Sequence, residues 1–287
     1  MCCCSRTCGP RPERAVAYDP RPVGVFDSGV GGLTVLRALV KALPQESFVY
    51  LGDTARLPYG TKSAETVVRY ATRAAQSLVD SGIKALVVAC NTASAAALPS
   101  LRERFGDLPV IGVVEPGAAA ACATSRSGHI AVLATEGTVA GGAYQRSIAQ
   151  LRPECRVTAL ACQVFVSLAE EGWTDGDVVM AAARRYLAPL VGQGDAGPDT
   201  LVLGCTHFPV LAGALAAVAG PAMHIVDASA AVAEALRDVL GRRGLLAAGP
   251  ARPLQLRATD GVARFARVGA IFLGRSLSPD DVALVDL

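Results

Sequence analysis

From residue 23 onward the chain alternates between two rhythms. A short apolar, mostly β-branched run gives way to a Gly or polar corner, and then to an Ala/Leu-rich stretch with helical spacing. The runs predict strands over 23–26, 48–51, 85–89, 110–113, 130–134, 156–160, 200–203 and 224–226. Strands alternating with helices predict an α/β fold with mostly parallel sheets flanked by helices. Ligands of such sheets bind at the carboxyl ends of the strands, so reactive residues are sought there. Asp27 and Ser28 follow the first run, Asp53 the second, Cys90, Asn91 and Thr92 the third, and Cys205, Thr206 and His207 a later one. Two segments echo each other: ALVVACNTAS (Ala85 to Ser94) and TLVLGCTHFP (Thr200 to Pro209) both run from an apolar strand to a Cys and a Thr-containing corner.

Composition narrows the function without naming it. A chain of 287 residues with 52% hydrophobic and 18% charged residues can bury a sizeable core. Its net charge of +2 gives no electrostatic reason to expect nucleic acid or an anionic membrane as partner. No apolar run is long enough to span a bilayer. Of nine cysteines, Cys2, Cys3, Cys4 and Cys8 crowd the N-terminus and the others are scattered, which predicts reduced thiols in the cytoplasm. Residues 1–21, rich in Arg and Pro, read as a disordered extension, or as a translation start placed too early. A zinc knot there would want a second spaced ligand pair beside Cys4 and Cys8.

On residue type alone, each corner cysteine is more often a small core hydrophobe than a nucleophile. A strand-to-helix corner changes that balance, because backbone N–H groups and a helix N-terminus favour the thiolate. At Cys205 the sequence adds a hydroxyl and an imidazole directly after the thiol, and Pro209 suits the first turn of a following helix. A redox pair or a metal site fits poorly, for there is no C-x-x-C and no second ligand pair; no metal is expected. A Cys-His hydrolase would leave one corner thiol unexplained. Two separate thiols suit a reaction that removes a proton from one face of a carbon and returns one to the other.

The glycines of FDSGVGGLTVL (Phe26 to Leu36) carry the competing signal of a dinucleotide site, with Asp53 where a ribose-binding acid would stand. Counted from Gly29 and Gly31, however, the third fingerprint position is Thr34, and Asp27 would bring the wrong charge to phosphates. Close packing of a tight turn explains the glycines about as well. Cys122, Cys155 and Cys162 read as structural, His129 and His224 receive no role, and Trp173 reads as a loop anchor.

VGVFDSGVGGLTVL, YLGDTARLPYG, VVACNTAS and VLGCTHFPVL resemble, in order and spacing, the signature segments of bacterial glutamate racemases. The resemblance runs from about Val23 to Gly274. It implies two pseudo-symmetric α/β lobes, residues 22–114 plus 228–287 and residues 115–227, with the active site between them. It implies Cys90 as the thiol acting on D-glutamate, Cys205 as the one acting on L-glutamate, and Asp27 and His207 as their assistants. Substrate contacts fall on Asp27, Ser28, Tyr59, Gly60, Asn91, Thr92, Thr206 and His207, with Thr138 and Glu170 as further contacts. Gln163 and Ser167 stand where the family pattern has prolines, and Gly141 where it has a serine, so the wall of the second lobe departs from the pattern.

The implied reaction is cofactor-independent interconversion of L- and D-glutamate, supplying D-glutamate for peptidoglycan. No lysine sits in a recognisable pyridoxal-phosphate context, so positioned hydrogen bonds must stabilise the carbanion-like charge. The partner expected is the small-molecule substrate, with no nucleic acid and no membrane; a homodimer is left open. Related paired-cysteine racemases act on aspartate, but the DSGVGG and PYG segments favour glutamate. A scaffold that binds without catalysis is the reading from another class, and the intact cysteine pair speaks against it.

Overall fold

The computed structural model describes residues 18–287. The eight predicted strands form close to their expected limits: β1 Val23–Asp27, β2 Phe48–Gly52, β3 Ala85–Val88, β4 Val110–Gly112, β5 His129–Ala134, β6 Arg156–Ala161, β7 Thr200–Gly204 and β8 His224–Val226. Two strands escape the sequence pattern, β9 Gln255–Ala258 and β10 Val282–Leu284. β9 reads QLRA, with no β-branched residue, and the three-residue β10 lies at a sheet edge where one partner suffices to hold it.

The strands make two sheets, one of six in the order β10-β9-β2-β1-β3-β4 and one of four in the order β6-β5-β7-β8. Every pairing is parallel, so each connection crosses back over a face and covers it with helix. This explains why β1, β2 and β3 are buried along their whole length instead of alternating. Val23 and Val25 enter the core on one face of the larger sheet, and Phe26 enters the core on the other. The smaller sheet repeats the plan, with Leu201 and Leu203 on one side and Val202 on the other. Each such side chain contributes roughly 1.5–3 kcal/mol by leaving water. Strands of the larger sheet come from residues 23–112 and 255–284, and strands of the smaller from 129–226.

Just before the amino ends of β2 and β3 lies a buried ion pair: Lys84 Nζ is 2.6 Å from Glu46 Oε2. Lys84 also donates to the carbonyl of Asp19 (2.7 Å). Of the extension expected over residues 1–21, residues 1–17, with Cys2, Cys3, Cys4 and Cys8, lie outside the described residues. Asp19 and Arg21, by contrast, are tied down, the first through Lys84 and the Leu246 carbonyl, the second through the Asp19 carboxylate (2.6 Å). Expected as an anchor, Trp173 is instead 52% exposed in its turn. Among the described residues, no helix is long and apolar enough to cross a membrane.

Candidate active site

Cys90 and Cys205 follow β3 and β7, the strands flanking the first strand of each sheet, and both line one cavity. Ser28, Tyr59, Gly60, Asn91, Thr92, Thr206 and His207 line it with them. Its volume is about 20 Å³, close to that of a single water.

Hydrogen bonds bridge the two halves at several points around this cavity. Thr34 Oγ1 donates to the Thr206 carbonyl (3.3 Å), and Thr206 Oγ1 donates to Asp27 Oδ1 (3.4 Å). Tyr144 donates to Asn91 Oδ1 (2.8 Å), and the hydroxyls of Thr92, Thr135 and Thr138 lie within 3.2 Å of one another. Two glycines permit the approach. A Cβ on Gly31 would stand 2.6 Å from His207 Nδ1 and overlap Thr206 Oγ1, and one on Gly60 would stand 2.6 Å from Thr135 Cβ. The glycines of the first corner are thus explained by packing, and Asp53 is occupied by Arg56 (2.8 Å), Tyr59 (2.6 Å) and Thr259 (2.9 Å). Neither half of a dinucleotide site is free for that purpose.

The first thiol sits at the start of the helix Asn91–Phe105 and accepts from the Ala93 N–H (3.4 Å) while donating to Ser28 Oγ (3.5 Å). Burial and then the negative charge of Asp27 outweigh those two contacts and push Cys90 up to about 12. Asp27 is itself raised by burial, against the pull of His207 and of the Gly29 and Gly32 N–H groups. The second thiol faces an imidazole: Cys205 Sγ lies 3.8 Å from His207 Nδ1. The other ring nitrogen contacts Glu170 Oε1 (3.2 Å), whose second oxygen accepts from Arg264 (3.1 Å). Burial alone would lower His207, but Cys205, Glu170 and Asp27 hold it up at about 10, which favours the charged ring. Glu170 is held below the usual carboxylate range, with burial overcome by His207 and Arg264.

Not every residue expected at the site reaches the cavity. Asp27 is fully buried beside it, Thr138 stands behind Thr92, and Glu170 stands behind His207. Tyr59 lines the cavity, but its hydroxyl is spent on Asp53. Thr135, Gln163, Val166, Leu57 and Pro58 also line it; the sequence places Gln163 on the second lobe's wall and assigns the other four no role there. Thr135 directly follows β5, and Gln163 lies two residues beyond β6, so the rule that found the cysteines reaches both. Cys162 is buried and raised to about 12 by desolvation, and His129 is satisfied by Thr158 (2.9 Å) and the Ala196 carbonyl (3.1 Å). Among the described residues, no group of three or more His, Cys, Asp or Glu gathers as a metal site would.

The family described as Asp/Glu/Hydantoin racemase matches residues 23–236. A glutamate racemase of Geobacter metallireducens is 48% identical over 273 residues, covering 93% of this chain and 97% of that protein. In three dimensions a glutamate racemase isoform from Bacillus anthracis superposes with a TM-score of 0.87 at 36% identity, over 93% of this chain and 98% of the other. A glutamate racemase from Francisella tularensis, solved in complex with D-glutamate, superposes with a TM-score of 0.85 at 34% identity and the same two coverages.

Proposed function

Because this chain belongs to the Asp/Glu/Hydantoin racemase family, we propose that it interconverts L- and D-glutamate by moving the α-proton between two thiols, Cys90 and Cys205. The observation that carries the reading is their opposed surroundings in one cavity, Cys90 held as a thiol by burial and Asp27, Cys205 beside the His207 cation. A proton donor on one side and a cation-assisted acceptor on the other are what inversion at a carbon requires.

In the L-to-D direction Cys205, as thiolate, takes the α-proton and becomes a thiol. Cys90 gives its proton to the opposite face and becomes a thiolate. The reverse direction starts with Cys90 deprotonated, and Asp27, with its raised affinity for protons, is the nearby group that holds the proton. His207, oriented by Glu170, serves Cys205 in the same way. Charge developing on the substrate is met by the hydroxyls of Ser28, Thr92 and Thr206 and by the free N–H groups at the start of the helix Asn91–Phe105. Asp27, Thr138 and Glu170 act one step removed from the substrate, whereas Tyr59, Gly60 and Asn91 shape the cavity. The D-glutamate so formed serves peptidoglycan synthesis in the cytoplasm.

The test is chiral analysis of the purified protein incubated separately with each glutamate enantiomer in deuterium oxide. Both reactions should run to the racemate, with deuterium at the α-carbon of the product. Inversion without deuterium, or faster turnover of aspartate than of glutamate, would overturn the reading.

A further inference from the structure

Gln163 begins the helix Val164–Glu170 and lines the cavity between the thiols. Its Oε1 is buried and has no hydrogen-bond partner. Among the described residues one other buried side-chain oxygen shares that condition, Glu46 Oε2, and it is neutralised by Lys84 at 2.6 Å. Gln163 Oε1 therefore stands apart, with neither a donor nor a counter-charge. An unpaired buried acceptor costs stability, and its retention calls for a function.

The substrate narrows what the missing donor is. Ionised glutamate carries carboxylates, which only accept, and one ammonium group, which only donates. A carboxamide oxygen can pair with the second and not with the first. Of the other acceptors around the cavity, Asn91 Oδ1 is engaged by Tyr144 (2.8 Å), Ser28 Oγ by Cys90 (3.5 Å), and Thr92 Oγ1 lies against Thr135 (2.8 Å) and Thr138 (3.2 Å), whereas Thr206 Oγ1 donates to Asp27 (3.4 Å) and keeps its own lone pairs. The carboxylates of Asp27 and Glu170 do not line the cavity, and each has its own partners. We propose that Gln163 is a substrate-binding residue of this racemase, its side-chain oxygen accepting a hydrogen bond from the substrate's α-ammonium group. The assignment rests on the glutamate reading above and adds to it an ammonium subsite on the second sheet's side of the cavity.

Two ligands separate this contact from a general role in shaping the wall: D-glutamate, and glutarate, which keeps both carboxylates and lacks the ammonium. Their dissociation constants are measured by titration calorimetry on the wild-type protein and on Gln163→Leu, which keeps similar bulk but cannot accept. The variant should bind D-glutamate about tenfold more weakly, about 1.4 kcal/mol, and glutarate within about twofold of wild type. Its thermal midpoint should not fall, since an apolar chain replaces an unpaired acceptor. Equal weakening of both ligands, or no weakening of either, overturns the ammonium contact. A wild-type protein that binds no D-glutamate overturns the glutamate reading itself, and this assignment with it, before any variant is made.

Discussion

The two thiol corners share a plan and differ in electrostatics. Each places a cysteine just beyond a central parallel strand, followed by a polar residue and a helical turn. At Cys90 the turn is the true N-terminus of a long α-helix, whose Ala93 N–H points at the sulfur, yet burial and Asp27 prevail and hold the proton on. At Cys205 only a short 3-10 turn, Phe208–Leu211, follows before the helix Ala212–Ala219, and the positive charge comes from His207, whose far nitrogen meets the Glu170 carboxylate, itself paired with Arg264. A helix terminus is thus no guarantee of a reactive thiol; the sign of the nearest full charge decides. The asymmetry cannot favour either product, because enantiomers have equal free energy. It must show in kcat and KM taken separately for each direction, while kcat/KM stays equal between them.

Removing either thiol is the largest way to break the comparison. Cys90→Ala and Cys205→Ala should each lose about 10²–10⁴-fold or more of racemisation, followed by circular dichroism of the glutamate solution. Each should retain exchange at one face: Cys205→Ala washing deuterium into D-glutamate only, and Cys90→Ala into L-glutamate only. Near-normal racemisation by either variant would end the two-thiol reading.

Neutralising the second corner comes next. His207→Asn should cost about 10²-fold in kcat/KM, equally in both directions. The same variant sharpens the comparison through stability. With His207 near 10 when folded and 6.5 as its ordinary value, its contribution is complete below pH 6.5 and is lost as pH rises toward 10. Denaturant melts across that window should show the wild-type stability falling and the variant's profile flattened; parallel profiles would remove the cation from the second corner.

Gly31→Ala tests the seam between the corners, since its methyl group would collide with Thr206 and His207. Activity should drop by about tenfold or more through misplacement of the second corner. Arg264→Ala is the mildest: the guanidinium is half exposed, so its pair with Glu170 is screened, and the rate should fall less than about threefold. A larger loss there would mean that Glu170 depends on Arg264 for its position.

Local pattern carried much of the architecture. The eight strands with apolar, β-branched runs announced themselves, as did the cysteine corners that follow two of them, because a parallel strand buried on both faces must be apolar and its carboxyl end must turn. What escaped depends on the partner rather than on the segment. QLRA becomes β9 because β2 and β10 lie on either side of it, and Thr135 becomes a cavity residue because the strand ends of both sheets meet there. Glu170 was expected against the substrate, and its distance from the cavity follows from His207 standing between. Chemistry in the sequence pointed to the thiols; their charge states required the neighbours that folding supplies.

The cavity of about 20 Å³ has a kinetic meaning. Glutamate is far larger than one water, so each turnover has to begin and end with the two halves breathing apart at contacts such as Gly60 against Thr135. On the proposed mechanism the proton transfers would then take place with the cavity closed to bulk solvent, and the opening rate would set a ceiling on turnover that no tuning of the thiols could raise.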